Sequence, residues 1–362
     1  MEPVDQLMRQ AISDDVFPGG VLLISKDGPV IFHAAYGYAN MFSKRPMAED
    51  TIFDLASLTK PLATTLAIMK LVSQKKIGLQ QPLGQILRQF NRSEKARIRI
   101  EHLLYHNSGL PDYRPYYKWL NKLPEDQRKD ALRALLLQEP LIHPVGKETL
   151  YSDIGFMILC WVIEKVSCMR LDRFVKKEIY FPLGLETLFF IDLNSEPHQL
   201  NFAATERCPW RNLLLTGLVH DENAYVVGGI EGHAGLFGTA EDIHQLLVAL
   251  QSALTVQAAS NVFETEVLHR FFKRNDNTKR ALGFDMPAVS GSSCGRYFSR
   301  KSVGHLGFTG TSFWMDLEQS IIVILLTNRV HPSRDNNRIK HFRPILHNTI
   351  MENMRNHNAV KG

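Results

Sequence analysis

The sequence predicts an α+β fold in which an antiparallel sheet, built from the N- and C-terminal segments and flanked by helices, carries an inserted, mainly helical region. Three observations predict it. Near the start, the apolar runs Val21–Ile24 and Val30–Ala34 are joined by a turn at Lys26-Asp27-Gly28, and two such runs across an Asp-Gly turn form a hairpin signal. Near the end, Phe313–Asp316 and Ile321–Leu326 are separated by a polar turn, which predicts a second hairpin. Between them the pattern is mainly helical, broken by turn clusters such as Asn107-Ser108-Gly109 and His143-Pro144-Val145-Gly146. Strands at both ends with helices between imply a single sheet assembled from both. The expected division is a sheet domain of residues 1–75 and 226–362, with 76–225 as the helical insertion.

The remaining elements follow in order. Val4 to Ile12 repeats apolar residues at helical spacing and runs out near Asp14 and Asp15, so a first helix precedes the first hairpin. From Ser57 to about Ser73 the apolar residues Leu62, Ala63, Leu66, Ala67 and Leu71 share one side of a second helix. A helix from about Arg343 to Met354, with Pro344 in its first turn, closes the chain.

Composition narrows the function classes. A chain of 362 residues that is 44% hydrophobic and 22% charged buries a large core and needs neither disulfide nor metal to hold it. A net charge of +5 is too mild and too dispersed for a nucleic-acid binder. The four cysteines form no Cys-x-x-Cys pair and read as free thiols of a reducing compartment. The acidic start Met1-Glu2-Pro3-Val4-Asp5 is no signal peptide, and no apolar run has the length of a membrane span, so a cytoplasmic location is expected.

The chemistry starts at Ser57-Leu58-Thr59-Lys60. Residues three apart share a helix face, which brings the lysine amine within reach of the hydroxyl. A serine hydroxyl is a poor nucleophile until a base takes its proton, and a lysine serves only if its pKa is lowered towards neutrality. A helix N-terminus adds free N–H groups that favour a developing oxyanion. Alone, the pattern equally describes a helix start with Ser57 capping and Lys60 in solvent.

Other stretches change that balance. Tyr151-Ser152-Asp153 follows the Pro144–Gly146 turn, and Gly304-His305-Leu306-Gly307-Phe308 leads into the C-terminal hairpin. With Ser57-x-x-Lys60 they resemble, in order and context, the serine β-lactamase and penicillin-binding superfamily, above all class C β-lactamases, D-alanyl-D-alanine carboxypeptidases and family VIII-type esterases. His102–Pro111 resembles the family's "LLxHxSGL" segment, Phe181–Leu185 its "PLGM" turn, and Gly228–Asp242 its "GHAGLFSTAxD" element. The resemblance implies Ser57 as acylated nucleophile, Lys60 as its base, and Tyr151 as a second proton shuttle. It also implies an oxyanion hole from the N–H groups of Ser57 and Phe308, with Gly307 letting the strand approach the acyl group.

Departures from the pattern refine the expectation. Asp153 stands where many relatives have asparagine; it can accept from Lys60, but its charge raises the lysine pKa. Leu306 replaces the threonine or serine whose hydroxyl helps bind a substrate carboxylate, and leucine has none to offer. His305 replaces a lysine and so carries less fixed positive charge. The substrate expected is a small-molecule carboxylic ester or amide, ahead of D-amino-acid peptides and then β-lactams, with no metal, organic cofactor or nucleic acid. The alternative of another class is a non-catalytic sensor or scaffold.

Several sharper readings give way to plainer ones. His102 and His106 have the spacing of helical zinc ligands, but the intervening Leu103-Leu104-Tyr105 lacks a zinc-protease glutamate, so a structural role is expected. The glycines from Gly228 to Gly238 lack the lysine of a phosphate loop and read as backbone crowding near the site. The run Arg329, His331, Arg334, Arg338, Lys340, His341 and Arg343 reads as a solvated face, or else as a basic border of the site mouth. Tyr113, Tyr116, Tyr117 and Trp119 read as core or cleft wall.

Overall fold

The computed structural model describes residues 1–195, 200–254 and 262–361. Its main sheet has six antiparallel strands in the order β3-β2-β1-β11-β10-β9. The first hairpin supplies β1 (Gly19–Lys26) and β2 (Val30–Asn40), and β3 (Arg45–Pro46) covers one end of β2. The last third supplies β9 (Val303–Leu306), β10 (Ser312–Asp316) and β11 (Ile321–Thr327). The two ends of the chain meet at β1 and β11, where Leu23 lies opposite Ile324 and Leu22 opposite Leu325. A sheet made from both ends of the chain is therefore what the two sequence hairpins form.

The central strands are buried along nearly their whole length, which explains why they read as continuous apolar runs rather than alternating ones. Their side chains still alternate between two cores, because successive residues of a strand face opposite sides. Ile322, Ile324 and Leu326 join one core with Val21 and Leu23, and helices α2 (Leu66–Ser73) and α10 (Ala240–Ser252) pack into it. Ile321, Val323 and Leu325 face the other core, which α1 (Glu2–Ser13) and α12 (Ile339–Lys361) close with Val4, Met8, Phe342 and Leu346.

The inserted stretch contributes α3 (Leu83–Ile86), α4 (Ile100–Leu104), α5 (Tyr117–Leu120), α6 (Glu125–Gln138), α7 (Asp153–Ser167), α8 (Leu171–Val175) and α9 (Glu222–Val226). It is less purely helical than its periodicity predicts. Its short strand β5 (Phe189–Phe190) joins β4 (Phe53–Asp54) and β8 (Leu236–Gly238) from the flanking segments in a second sheet, and its β6 (Ala204–Cys208) pairs with its β7 (Leu213–Thr216). Two- to five-residue strands are too short to show a period, so their pairing comes from tertiary contacts. A further helix, α11 (Thr265–Phe272), packs against α2.

Two predicted helices differ in detail. The helix expected from Ser57 is a 3-10 turn at Ala56–Leu58, a wide π-type stretch at Lys60–Thr65, and only then α2. Pro61 lacks the N–H that a regular helix would direct at the Ser57 carbonyl. The last helix starts at Ile339 rather than Arg343, which moves Pro344 beyond the first turn. The side chain of Asn336 takes the Arg338 N–H at 3.1 Å and starts the helical path early. No helix among the described residues is long and apolar enough to cross a membrane.

Ile324 has no exposed surface and lies opposite Leu23 and Phe313 in the central strands. Ile324→Ala is expected to cost about 2–5 kcal/mol in chemical denaturation. Val30→Ala, on the exposed end of β2, should stay within about 0.5 kcal/mol of the parent.

Candidate active site

The nucleophile candidate sits on a turn held closed from both sides. Ala56 has φ +47°, a left-handed conformation that a residue with a Cβ rarely takes. The Asp54 carboxylate accepts the Ala56 N–H at 2.8 Å and the His220 N–H at 2.6 Å. The Thr59 hydroxyl donates to Ala56 O at 2.6 Å and accepts the Leu236 N–H at 3.1 Å, tying the turn to β8. Among the described residues, the N–H groups of Ser57 and Phe308 have no hydrogen-bond acceptor.

Lys60 is completely buried beneath Ser57. Its Nζ lies 3.2 Å from Ser57 Oγ, 3.2 Å from His233 O and 2.7 Å from Asp153 Oδ1. It also stands 4.8 Å from the centre of the Tyr151 ring. Burial pulls the lysine pKa down, but the charges of Asp153 and Tyr151 outweigh it, and the net direction is up. The effect expected of an aspartate at position 153 is therefore present. Burial raises the pKa of the Tyr151 phenol, and Asp153 adds to that against the opposing charge of Lys60.

Tyr151 and Asp153 owe their places to the residue between them. Ser152 is the N-cap of α7: its hydroxyl accepts the Gly155 N–H at 3.1 Å and donates to Pro111 O at 2.5 Å. One neighbour precedes the helix at the cleft mouth, and the other lies in its first turn. The glycine-rich stretch completes the floor. A Cβ at Gly232 would stand 2.1 Å from Phe156 O, so only glycine allows this approach to α7. Thr64 donates to Gly232 O at 2.6 Å, which sets the next carbonyl, His233 O, against Lys60.

Strand β9 and the two residues that follow it bring His305, Gly307 and Phe308 to the same end of the sheet. His305 is 1% exposed, its Nδ1 pairs with Leu306 O at 2.9 Å, and burial pushes its pKa down to about 4. An uncharged, buried imidazole supplies no positive charge to a substrate. A Cβ on Gly307 would lie 2.0 Å from Thr311 Oγ1 and 2.7 Å from Leu55 O. This glycine serves the packing of the strand end against Leu55, within its own backbone. Phe308 is half-exposed and forms a wall of the cleft.

The cleft encloses about 360 Å³ between Ser57, Tyr151, Phe308, Tyr113, Asp221 and Arg334. Sequence reasoning missed much of its rim. Asp221 pairs with His233 at 2.9 Å, and that charge raises the histidine pKa against the opposing effect of burial. Arg334 binds Glu206 at 2.8 and 2.5 Å and Glu222 at 2.7 Å, while His220 meets Glu206 at 3.1 Å. Asp221 carried a local signal, since it is the N-cap of α9; nothing local marks Glu206. Asp153, Asp221 and His233 bring ligand atoms within 4.8 Å of one another, yet both carboxylates are already matched by Lys60 and His233.

The basic run is a solvated face only at Arg338, Lys340 and His341. Arg329, His331 and Arg343 are buried, and Arg334 lines the cleft. Of the aromatic group, Tyr113 lines the cleft, Tyr116 donates to Glu139 at 2.6 Å, and Tyr117 packs on Trp210. His102 and His106 do not converge, because His106 lies beyond the end of α4 at φ +58°. His102 Nδ1 accepts the Arg99 N–H, and His106 Nδ1 accepts the Ser152 N–H.

A hydroxyl beside a lysine amine, with two unpaired N–H groups nearby, is an arrangement that can pass a proton and stabilise an oxyanion. A family model described as Beta-lactamase matches residues 4–344. The chain is 33% identical to an N-acetylmuramyl-L-alanine amidase of Bacillus subtilis (strain 168), over 91% of this chain and 81% of the relative. It is 31% identical to a putative D-alanyl-D-alanine carboxypeptidase of Salmonella typhi, over 88% and 80%. Among solved structures, the hydrolase EstCE1, with promiscuous acyltransferase activity, superposes with a TM-score of 0.73 at 24% identity, covering 95% of this chain and 98% of that one. A penicillin-binding protein homologue from Pyrococcus abyssi gives 0.74 at 21% identity, covering 95% and 75%, and both structures speak to the fold. A family model spanning most of the chain, together with relatives above 30% identity, establishes that this chain belongs to the beta-lactamase family and is a serine hydrolase.

Proposed function

We propose that the protein hydrolyses carboxylic esters or small amides with uncharged, apolar acyl groups, through a covalent ester on Ser57. The observation that carries the chemistry is the position of Lys60 Nζ, 3.2 Å from Ser57 Oγ. In its amine form Lys60 takes the hydroxyl proton as Oγ bonds to the carbonyl carbon. The oxyanion is received by the N–H groups of Ser57 and Phe308. Tyr151 delivers its proton to the departing alcohol or amine and then, as phenolate, takes the proton of the water that adds to the ester. Lys60 returns its proton to Ser57 Oγ as the C–O bond breaks and the acid leaves.

The substrate class rests on the cleft having, among the described residues, no free partner for a carboxylate. Leu306 has no hydroxyl, and His305 is buried and uncharged. The nearby hydroxyls of Thr309 and Thr311 donate to Asp54 O at 2.7 Å and Leu55 O at 3.1 Å. Arg334 is held between Glu206 and Glu222. Relatives named for an amidase and a carboxypeptidase keep amide cleavage within the reading. D-amino-acid peptides rank second and β-lactams third, because both present a carboxylate.

Peptide mapping after exposure to a p-nitrophenyl ester and a fluorophosphonate should find an adduct on Ser57 that Ser57→Ala abolishes. Folded protein labelled by neither reagent would instead be a sensor or scaffold. Leu306→Thr restores the hydroxyl and should raise turnover of a chromogenic cephalosporin relative to the ester by roughly 10-fold, the worth of one hydrogen bond to a charged group. A parent enzyme that already hydrolyses the cephalosporin far faster than the ester would refute the substrate ranking.

Lys60 works as a base only after losing its proton, and Asp153 raises its pKa. Activity should therefore climb with pH along a limb set by Lys60. Asp153→Asn removes the negative charge and should move that limb to lower pH in the pH profile of kcat/KM.

A further inference from the structure

His106 makes three contacts on three consecutive residues of the loop that carries Tyr151. Its carbonyl accepts the Leu150 N–H at 2.8 Å, and its Nδ1 accepts the Ser152 N–H at 2.9 Å. Its ring lies 4.6 Å from the Tyr151 ring, tilted by 30°, and 5.1 Å from Phe156. To do this it occupies the left-handed region, with φ +58°, directly after α4. The left-handed φ belongs to the end of α4, where the Asn107 N–H returns to His102 O at 2.9 Å and the His106 N–H to Leu103 O at 3.2 Å, so the helix terminus itself holds His106 where it meets the loop.

We propose that His106 is a positioning residue of the hydrolase, whose carbonyl, Nδ1 and ring face together set where the Tyr151 phenol stands relative to Ser57 and Lys60. The inference rests on the acyl-enzyme reading of Ser57. Since Nδ1 accepts a backbone N–H, the ring proton resides on Nε2. Nε2 is buried and has no partner among the described residues, a cost of about 1–3 kcal/mol for such a donor. A histidine kept only for packing would be better replaced by an apolar ring. The Nδ1 acceptor is the part that an apolar ring could not supply. Burial, with the charges of Arg280 and Lys60, holds the His106 pKa well below its usual value, so Nδ1 stays free to accept.

The rest of the Tyr151 surroundings agrees with a device for placement. The Arg280 guanidinium stands 5.8 Å from the ring centre and is paired with Asp285, and the His305 ring lies 5.9 Å away. None of these three hydrogen-bonds the loop backbone on both sides of Tyr151. Among the described residues, only His106 bonds the backbone before and after the tyrosine while touching the ring itself.

A double-mutant cycle tests the assignment. His106→Asn tolerates the left-handed φ and keeps an acceptor for the Ser152 N–H, but removes the ring. It should lower kcat for p-nitrophenyl acetate by about 10–100-fold, as a displacement of the order of 1 Å does, with KM changed much less. In a Tyr151→Phe background, where the proton-carrying oxygen is gone, the same substitution should lower kcat by no more than about twofold. His106→Phe, which keeps the ring and strands the Ser152 N–H, is carried through the same cycle and serves if the Asn variant does not fold. An equal loss in both backgrounds, or a His106→Asn enzyme within about twofold of the parent, overturns the proposal. Fluorophosphonate labelling of the parent separates the two readings. Labelled Ser57 without coupling removes only the role of His106, whereas an unlabelled parent removes both.

Discussion

A lysine ammonium with no exposed surface must find opposite charge and acceptors inside the protein, and Lys60 finds them in three separate parts of the chain. Ser57 lies on its own helical turn, Asp153 opens α7, and His233 O comes from the glycine-rich loop. Desolvating such a pair is expensive, and removing one partner typically costs about 3–5 kcal/mol. The arrangement therefore constrains all three segments together. Thr59, Thr64 and Ser152 hold the segments in register through side-chain hydrogen bonds to backbone, and Gly232 removes the Cβ that would push the loop away from α7.

The same interaction sets the chemical problem of the site. A buried lysine held in its charged form by the Asp153 carboxylate cannot accept a proton until it is discharged. Asp153 stabilises the fold's resting form at the expense of the free amine, and Tyr151, also shifted upward, cannot relieve it in the resting state. An asparagine at 153 would hydrogen-bond without this charge. The choice of aspartate thus gives up some of the free-amine population in return for a firmly held Lys60.

Around this centre the cleft wall is closed by a second set of charges. Asp54 ties the Ser57 turn to His220, His220 meets Glu206, and Glu206 shares Arg334 with Glu222. This chain runs from the nucleophile turn, through the inserted region, to the C-terminal loop. Arg334 is matched by Glu206 and Glu222, which leaves the mouth without a free arginine or lysine among the described residues and gives the walls, Phe308 and Tyr113, more say in what binds.

How much of this was legible in sequence depends on the range of the interaction. Hairpins at 21–34 and 313–326 were readable because apolar runs and an Asp-Gly turn are local, and their meeting across β1 and β11 followed from helices between strands. Ser57, Lys60, Tyr151 and Asp153 were readable as motifs, since the order and local context of their stretches resemble those of the family. The 3-10 and π-type path after Ala56, the short strands β5 to β7, and the burial of Arg329 and Arg343 were not, because each is decided by what packs against it. His305 and Gly307 were identified from their motif, but only the fold showed one to be an uncharged buried ring and the other a packing glycine. The sequence by itself determined the two-ended sheet, through hydrophobic period, and the placing of Lys60 one turn after Ser57, through covalent spacing. Only the tertiary structure decided the charge state, the partners and the shape of the cleft. Desolvation and pairing depend on residues as distant as Asp54 and His220, or Glu206 and Arg334, which no local pattern brings together.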